Sequence, residues 1–236
     1  MRRCSALLVV ALLLGGCDYF GHRPDSAMDF PEANRPVAPT VATRWDDEDV
    51  RDRLGEADDV MNQSDIRAGM TVADIGAGDG YYTVRLASRV GANGRVLAQD
   101  ILPNVIERLG DRIARERLEN VSIRLGAADD PRLPANSFDR VLMVHMYHEI
   151  AEPYAFLWRL WPALRSGGQV IVVDGNRPIA NHGTPLSLLI CEFQAAGYRP
   201  VAFVDKPNAG GYLVRFARAE NRPAPNAIRP CKAPGS

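Results

Sequence analysis

Two short stretches hold most of the side chains that could do chemistry. One is His145-Met146-Tyr147-His148-Glu149, where two imidazoles and a carboxylate fall close together. Imidazole titrates near neutrality, which suits removal of a proton from an oxygen or nitrogen nucleophile. The other is Asp74-Ile75-Gly76-Ala77-Gly78-Asp79-Gly80, with glycines at alternate positions and carboxylates beside them. Glycine tolerates positive φ and lets a ligand approach the main chain. A pyrophosphate wants G-x-G-x-x-G, but Tyr81 stands where the final glycine belongs. Asp74 and Asp79 would repel a phosphate in a partly buried crevice and would hold a ligand carrying ammonium and sulfonium charges.

The surrounding sequence supplies elements to position both stretches. Residues 71–75 read as a strand that delivers Asp74 and the glycines to its carboxyl end, and Tyr82, Val84, Leu86, Ala87 and Val90 give the following helix its apolar side. A second strand, 95–98, ends at Gln99-Asp100, and a helix beginning at Pro103 leads to a third strand, 121–125. The fourth, 140–144, is almost continuously apolar, as befits a strand buried on both faces, and it carries the His145 stretch at its tip. A helix over 153–164, a turn at Gly167-Gly168 and a fifth strand over 170–173 ending at Asp174 follow. Helix 186–196 stops at Gly197, and segments 201–204 and 212–216 read as an antiparallel hairpin. Upstream, residues 45–64 form an amphipathic helix, or two short ones, expected to cover the sheet edge. The fold class is therefore α/β: a doubly wound sheet of about seven strands, mostly parallel, with a closing antiparallel hairpin.

The residues from Val72 to Gly80 resemble the first motif of the class I S-adenosylmethionine-dependent methyltransferases, whose sheet is Rossmann-like. Phe138-Asp139-Arg140-Val141, Leu164-Arg165-Ser166-Gly167-Gly168 and the closing hairpin are similar to that family's later motifs. The resemblance covers residues 70–216 and implies S-adenosyl-L-methionine as cofactor. It places Asp74 near the cofactor's amino-acid end and Gly76, Ala77, Gly78 and Gly80 against its ribose and methionine. Asp100 would accept the ribose hydroxyls and Ile101 would pack on adenine. Where the family has an acid for the adenine amino group this chain has Ala127, so Asp129, Asp130 or a backbone carbonyl is expected to serve. By the same resemblance His148 is the base or substrate hydrogen bonder, Tyr147 shapes the pocket and Glu149 orients the imidazole. A histidine here can instead simply cap the next helix. No metal is expected: His145, His148 and Glu149 are poorly spaced to converge on one ion, and HExxH is absent.

Composition sets the frame. At 236 residues and 46% hydrophobic, one substantial core is affordable, and a net charge of −1 gives no support to nucleic-acid binding. Arg2 and Arg3 precede an apolar run over 6–14 that is too short to span a bilayer but suits a secretory signal. The run closes on Leu14-Gly15-Gly16-Cys17, similar to the bacterial lipobox, in which Cys17 would carry lipid and become the mature N-terminus. A plain signal peptide with an incidental cysteine is the alternative. The division is then a signal with lipobox over 1–17, a tether over 18–44, a methyltransferase domain over 45–218 and a Pro-rich tail over 219–236, disordered or draped on the surface. Cys191 and Cys231 remain after export, either as a disulfide pinning the tail or as free thiols, Cys191 being set in an apolar helix. The expected protein is an exported bacterial envelope enzyme, lipid-anchored at the periplasmic face of a membrane, methylating a small-molecule or lipid-like acceptor. Because S-adenosylmethionine is made in the cytoplasm, the competing reading is a binding protein that keeps the pocket without transferring methyl groups. A nucleotide-linked oxidoreductase is disfavoured by the missing glycine and the two carboxylates.

Overall fold

Seven strands form in chain order: β1 (Thr71–Ile75), β2 (Arg95–Asp100), β3 (Val121–Leu125), β4 (Phe138–Val144), β5 (Leu164–Asp174), β6 (Tyr198–Lys206) and β7 (Gly211–Arg218). They make one sheet of order β3-β2-β1-β4-β5-β7-β6. The structure is a computed structural model that describes residues 23–40, 48–206 and 211–233, so the signal, the lipobox and most of the 207–211 turn lie outside the described residues. β1 to β5 pair in parallel, and β7 inserts antiparallel between β5 and β6. The chain builds outward from β1 to β3 and then returns to place β4 on the other side of β1. The carboxyl ends of β1 and β4 therefore flank the switch point at which such sheets bind ligands.

Strand periodicity sorts the core into two faces. Ala73, Ile75, Val141, Met143 and Val172 point to one side and pack with Phe156, Leu160, Leu189 and Phe193. These last four come from α5 (Pro153–Leu160) and α6 (Leu186–Ala195). Val72, Leu142, Ile171 and Val173 point to the other side. There they meet α2 (Glu56–Gln63) and α3 (Tyr81–Val90), while α4 (Pro103–Glu116) packs beside β2 and β3. The charged N-terminal segment is two helices, α1 (Glu48–Arg53) and α2, separated at Gly55 with φ 65°. Ala57, Val60 and Met61 of α2 bury against Val72, Tyr82 and Leu86, so α2 covers a face of the sheet and not its edge as expected, while α1 buries no residue. α5 is shorter than its apolar pattern: the chain tightens into a 3₁₀ turn at Trp161–Ala163, where Pro162 has no N–H to continue the helix. Gly197 ends α6 region with φ 92°, the left-handed stop its position predicts.

The expected tether is, over residues 23–40, a packed strap. Ala27, Phe30 and Ala38 are buried against α5, α6 and the tail. Arg23 pairs with Glu152 at 2.7 Å, and Arg35 pairs with Glu192 at 2.8 Å with both side chains fully buried. The tail lies on the same side. Ile228 is buried, Asn34 pairs with Lys232, and Cys191 and Cys231 form a disulfide that ties the tail to α6. Composition alone made these Pro-rich segments look unanchored, yet a few arginines and one disulfide hold them down.

Candidate active site

The glycine loop is a backbone cradle. Gly76, Gly78 and Gly80 all have positive φ, at 67°, 55° and 90°. A Cβ at Gly76 would press on Met146 at 3.0 Å and one at Gly80 on Leu109 at 2.7 Å, whereas one at Gly78 would meet nothing. The middle of the cradle is thus open while its two ends are closely packed. Ala77 N–H donates to the Gln99 carbonyl at 2.9 Å, which locks the loop to β2. Asp100 accepts the Gly78 N–H at 3.1 Å through one carboxylate oxygen and the Leu102 N–H at 3.0 Å through the other. Each oxygen keeps a second lone pair for a ligand hydroxyl. Ile101 follows with its side chain exposed, available to cover a flat ring.

Asp74 is buried beneath the cradle and accepts the Thr83 hydroxyl at 2.6 Å. Burial pushes its carboxyl up to about 6, with the nearby Asp100 charge adding to the rise and Thr83 opposing it. Such a group gains from a cation placed beside it. Asp79, by contrast, turns outward to Arg108 at 3.1 Å, with its side chain 59% exposed. The electrostatic case for a cationic ligand therefore rests on Asp74 and Asp100, not on Asp79. Over this region α1 is clamped down: the Arg51 guanidinium lies 3.7 Å from the Tyr81 ring centre and bonds Glu56, which also accepts the Tyr82 hydroxyl. Both tyrosines are thereby covered by protein.

The second stretch separates its members. His148 is buried, and its Nδ1 faces both carboxylate oxygens of Asp174 at 3.0 and 3.1 Å. Asp174, at the end of β5, also accepts the Thr184 hydroxyl at 2.7 Å and the Gly175 N–H at 2.8 Å. A carboxylate so held fixes the imidazole with its proton on Nδ1 and leaves the Nε2 lone pair outward. Nε2 is buried and has no hydrogen-bond partner among the described residues. Asp174, not Glu149, is thus the orienting group, a correction to the expected role of Glu149. His145 is also buried, with φ 54°, and desolvation lowers its imidazole to about 4, so it stays neutral at physiological pH.

Two further expectations are corrected. Tyr147 is fully buried on the opposite side of the turn, its hydroxyl donating to Glu192 at 2.7 Å and its ring against Phe193 and the Arg35 guanidinium. It anchors the strap and does not line the pocket. Asp129 is bound by Arg159 at 2.5 Å and by the Ser26 hydroxyl, so its carboxylate is engaged in the core and not offered to adenine. Asp130 accepts the Arg132 N–H at 2.7 Å. Sequence reasoning noted Asp174 only as a strand tip and missed His182 and Thr184. The signal for them is Gly175 and Gly183, where added Cβ atoms would strike Arg177, or the Gly175 carbonyl, at 2.4–2.8 Å. These glycines mark a tightly folded loop that returns Thr184 to Asp174.

A glycine cradle at the switch point, with an acid at the end of β2, defines a Rossmann-like domain shaped for a nucleoside-bearing cofactor. Residues 72–168 match the family model described as a methyltransferase domain. The chain is 30% identical over 112 residues to the protein-L-isoaspartate O-methyltransferase of Methanothrix thermoacetophila, covering 48% of this chain and 50% of that protein. It is 27% identical over 119 residues to the ubiquinone/menaquinone biosynthesis C-methyltransferase UbiE of a Marinomonas species, covering 50% and 47%. The chain thus spans about half the length of the curated relatives it matches. Its fold is similar to a solved SAM dependent methyltransferase from Aquifex aeolicus, with a TM-score of 0.62 at 22% identity over 73% of this chain and 97% of that one. Residues 72–168 thus match the methyltransferase-domain model, and the sheet around them has the Rossmann-like fold of that solved SAM dependent methyltransferase.

Proposed function

We propose that this protein transfers a methyl group from S-adenosylmethionine to a small-molecule or lipid-like acceptor. The observation that carries the reading is the cradle: an open Gly78, a buried Asp74 pushed up to about 6 and an Asp100 with acceptor capacity left on both oxygens. When bound, the cofactor supplies an electrophilic methyl group. Asp74 would ionise to meet its ammonium charge, Asp100 would receive the ribose hydroxyls and Ile101 would cover the adenine. Asp129 is engaged by Arg159 and Ser26, so the adenine amino group would be left to Asp130 or to a backbone carbonyl. His148 Nε2 then takes the acceptor's proton, and Asp174 steadies the imidazolium that results. Since relatives are named for ubiquinone/menaquinone biosynthesis and for protein L-isoaspartate, quinone-like acceptors are the first to try.

We place the enzyme outside the cytoplasm, tethered by lipid on Cys17. The signal-like N-terminus supports this, as does the Cys191–Cys231 disulfide, a bond that persists in oxidising compartments. Among the described residues no helix is long and apolar enough to cross a membrane. Calorimetry of the full chain with S-adenosylmethionine and S-adenosylhomocysteine tests the cradle, and methyl transfer into an envelope extract tests the chemistry. Binding with transfer is the expected result. Absence of binding at millimolar ligand would overturn the reading, and binding without transfer would make the protein a cofactor-binding protein instead. Mass measurement of membrane-extracted protein tests the lipid.

A further inference from the structure

We propose that the acceptor end of the crevice is a divalent-metal site made by His148 Nε2, the Glu149 carboxylate and the His182 imidazole. One ligand atom from each of the three residues lies within 4.8 Å of the others, and His182 stands edge-on to His148 with ring centres 5.6 Å apart. His182 is 34 positions beyond His148 in sequence (182 minus 148), so the fold and not local spacing gathers them.

The second observation is the orphaned nitrogen. Nδ1 of His148 is occupied by Asp174, so Nε2, across the ring, points away from that carboxylate with its lone pair free. His148 is only 1% exposed, and a buried polar atom without a partner among the described residues is costly to leave unpaired. Ligand histidines characteristically carry a carboxylate on their other nitrogen, which fixes the tautomer and raises ligand basicity. Here that carboxylate is itself immobilised by Thr184 and Gly175.

The loop that brings His182 is braced to hold it. Thr184 N–H donates to the Gly175 carbonyl at 2.8 Å, Tyr212 donates to the Thr184 carbonyl at 2.7 Å, and Arg177 grips the His182 carbonyl at 3.0 and 3.1 Å. His182 closes the 3₁₀ turn Ile179–Asn181 with φ 54° and is half-buried, so its ring is the movable member. Bonds of about 2.0–2.1 Å to a tetrahedral ion would set the ligands about 3.3–3.5 Å apart, a contraction of up to about 1.5 Å. Two imidazoles and one carboxylate suit a zinc-like ion and leave a coordination position open. The inference rests on the methyl-transfer reading only for the ion's role. The Nε2 lone pair holds either a proton or the ion. With the ion in place, an acceptor hydroxyl on the open position would lose its proton to water and present its oxygen to the methyl group.

The test uses full-length protein stripped with chelator and titrated with Zn(II) by calorimetry and with Co(II) by absorption. One equivalent should bind, with Co(II) giving the visible bands of a low-coordinate imidazole-ligated ion. His182→Ala and Glu149→Gln should each weaken binding on the order of 100-fold, while the metal-free unfolding midpoint and S-adenosylmethionine affinity stay at wild-type values. If His182→Ala does not fold, Glu149→Gln decides. Absence of binding, or binding that both variants retain, overturns the site. Cofactor binding without metal binding would end this inference and leave the proposed function standing. Metal binding without cofactor binding would do the reverse.

Discussion

The two halves of the crevice are built in different ways. The cofactor half is local: Asp74, the three glycines and Asp100 come from one strand–turn–helix–strand unit, and backbone amides provide most of its polar geometry. The half proposed to take the acceptor is assembled from distance. His148 is oriented by Asp174 and faces His182, while the strap touches the same turn when Ala38 N–H donates to the His148 carbonyl at 3.0 Å. Behind it, Arg35, Glu192 and Tyr147 form a buried polar cluster. A local backbone cradle keeps one ligand chemistry across many proteins, while side chains gathered from far apart are where acceptors and activation differ.

That contrast predicts separable failures, the largest in the acceptor half. Asp174→Asn should reduce methyl transfer by about 10²- to 10⁴-fold through loss of the imidazole tautomer, with cofactor affinity by calorimetry unchanged. Weakened cofactor binding in that variant would show that the halves are not independent. Next comes the strap. Arg35→Met leaves the buried Glu192 carboxylate without its cation and with only the Tyr147 hydroxyl on it, which should cost about 3–5 kcal/mol in denaturant unfolding. The pair replacement Arg35→Met with Glu192→Leu should recover most of that loss, and an unaltered midpoint in the single variant would remove the strap from the stability of this half.

Cofactor-half chemistry shows in pH. Asp74 is raised from 3.8 to about 6, so the folded state binds the proton more tightly than the unfolded chain. Its contribution to stability is full below the lower value, declines as pH rises through about 6 and is flat above. Asp74→Asn keeps the acceptor for Thr83 and removes the charge, so the apo protein should gain about 2–3 kcal/mol near pH 7.5 at most. S-adenosylmethionine affinity should fall about 10- to 100-fold, as for loss of a charged hydrogen bond, and should lose its rise between roughly pH 5 and 7. A variant that binds as well as wild type would put the ammonium elsewhere.

The same contrast explains what the sequence could reveal. Strand periodicity, Gly80 and Gly197 placed the sheet and its turns, because each acts within a few residues. That Asp74, the glycines and Asp100 meet at one loop was legible for the same reason. Tyr147 and His148 were not separable by sequence: a one-residue step across a 3₁₀ turn sends one into the core and the other toward Asp174. Asp129 looked free until Arg159 and Ser26, both distant in sequence, closed on it. The strap was hidden because its anchors are single arginines in a Pro-rich segment, whose partners exist only in three dimensions.

Asp79 gives the smallest effect and the sharpest control. It sits between Gly78 and Gly80, and by spacing it is as much part of the cradle as Asp74. Yet its carboxylate faces Arg108 in solvent, and Arg112 binds only its carbonyl oxygen, at 2.8 Å. An exposed pair of this kind contributes about 0–1 kcal/mol, so Asp79→Asn should leave the unfolding midpoint near wild type and cofactor affinity within about twofold. The backbone at position 79 does the local work, and Asn preserves it. If Asp79→Asn instead weakened binding as much as Asp74→Asn, the carboxylate would have to swing inward when ligand arrives. The cradle would then be one that closes on its cation and not one already formed.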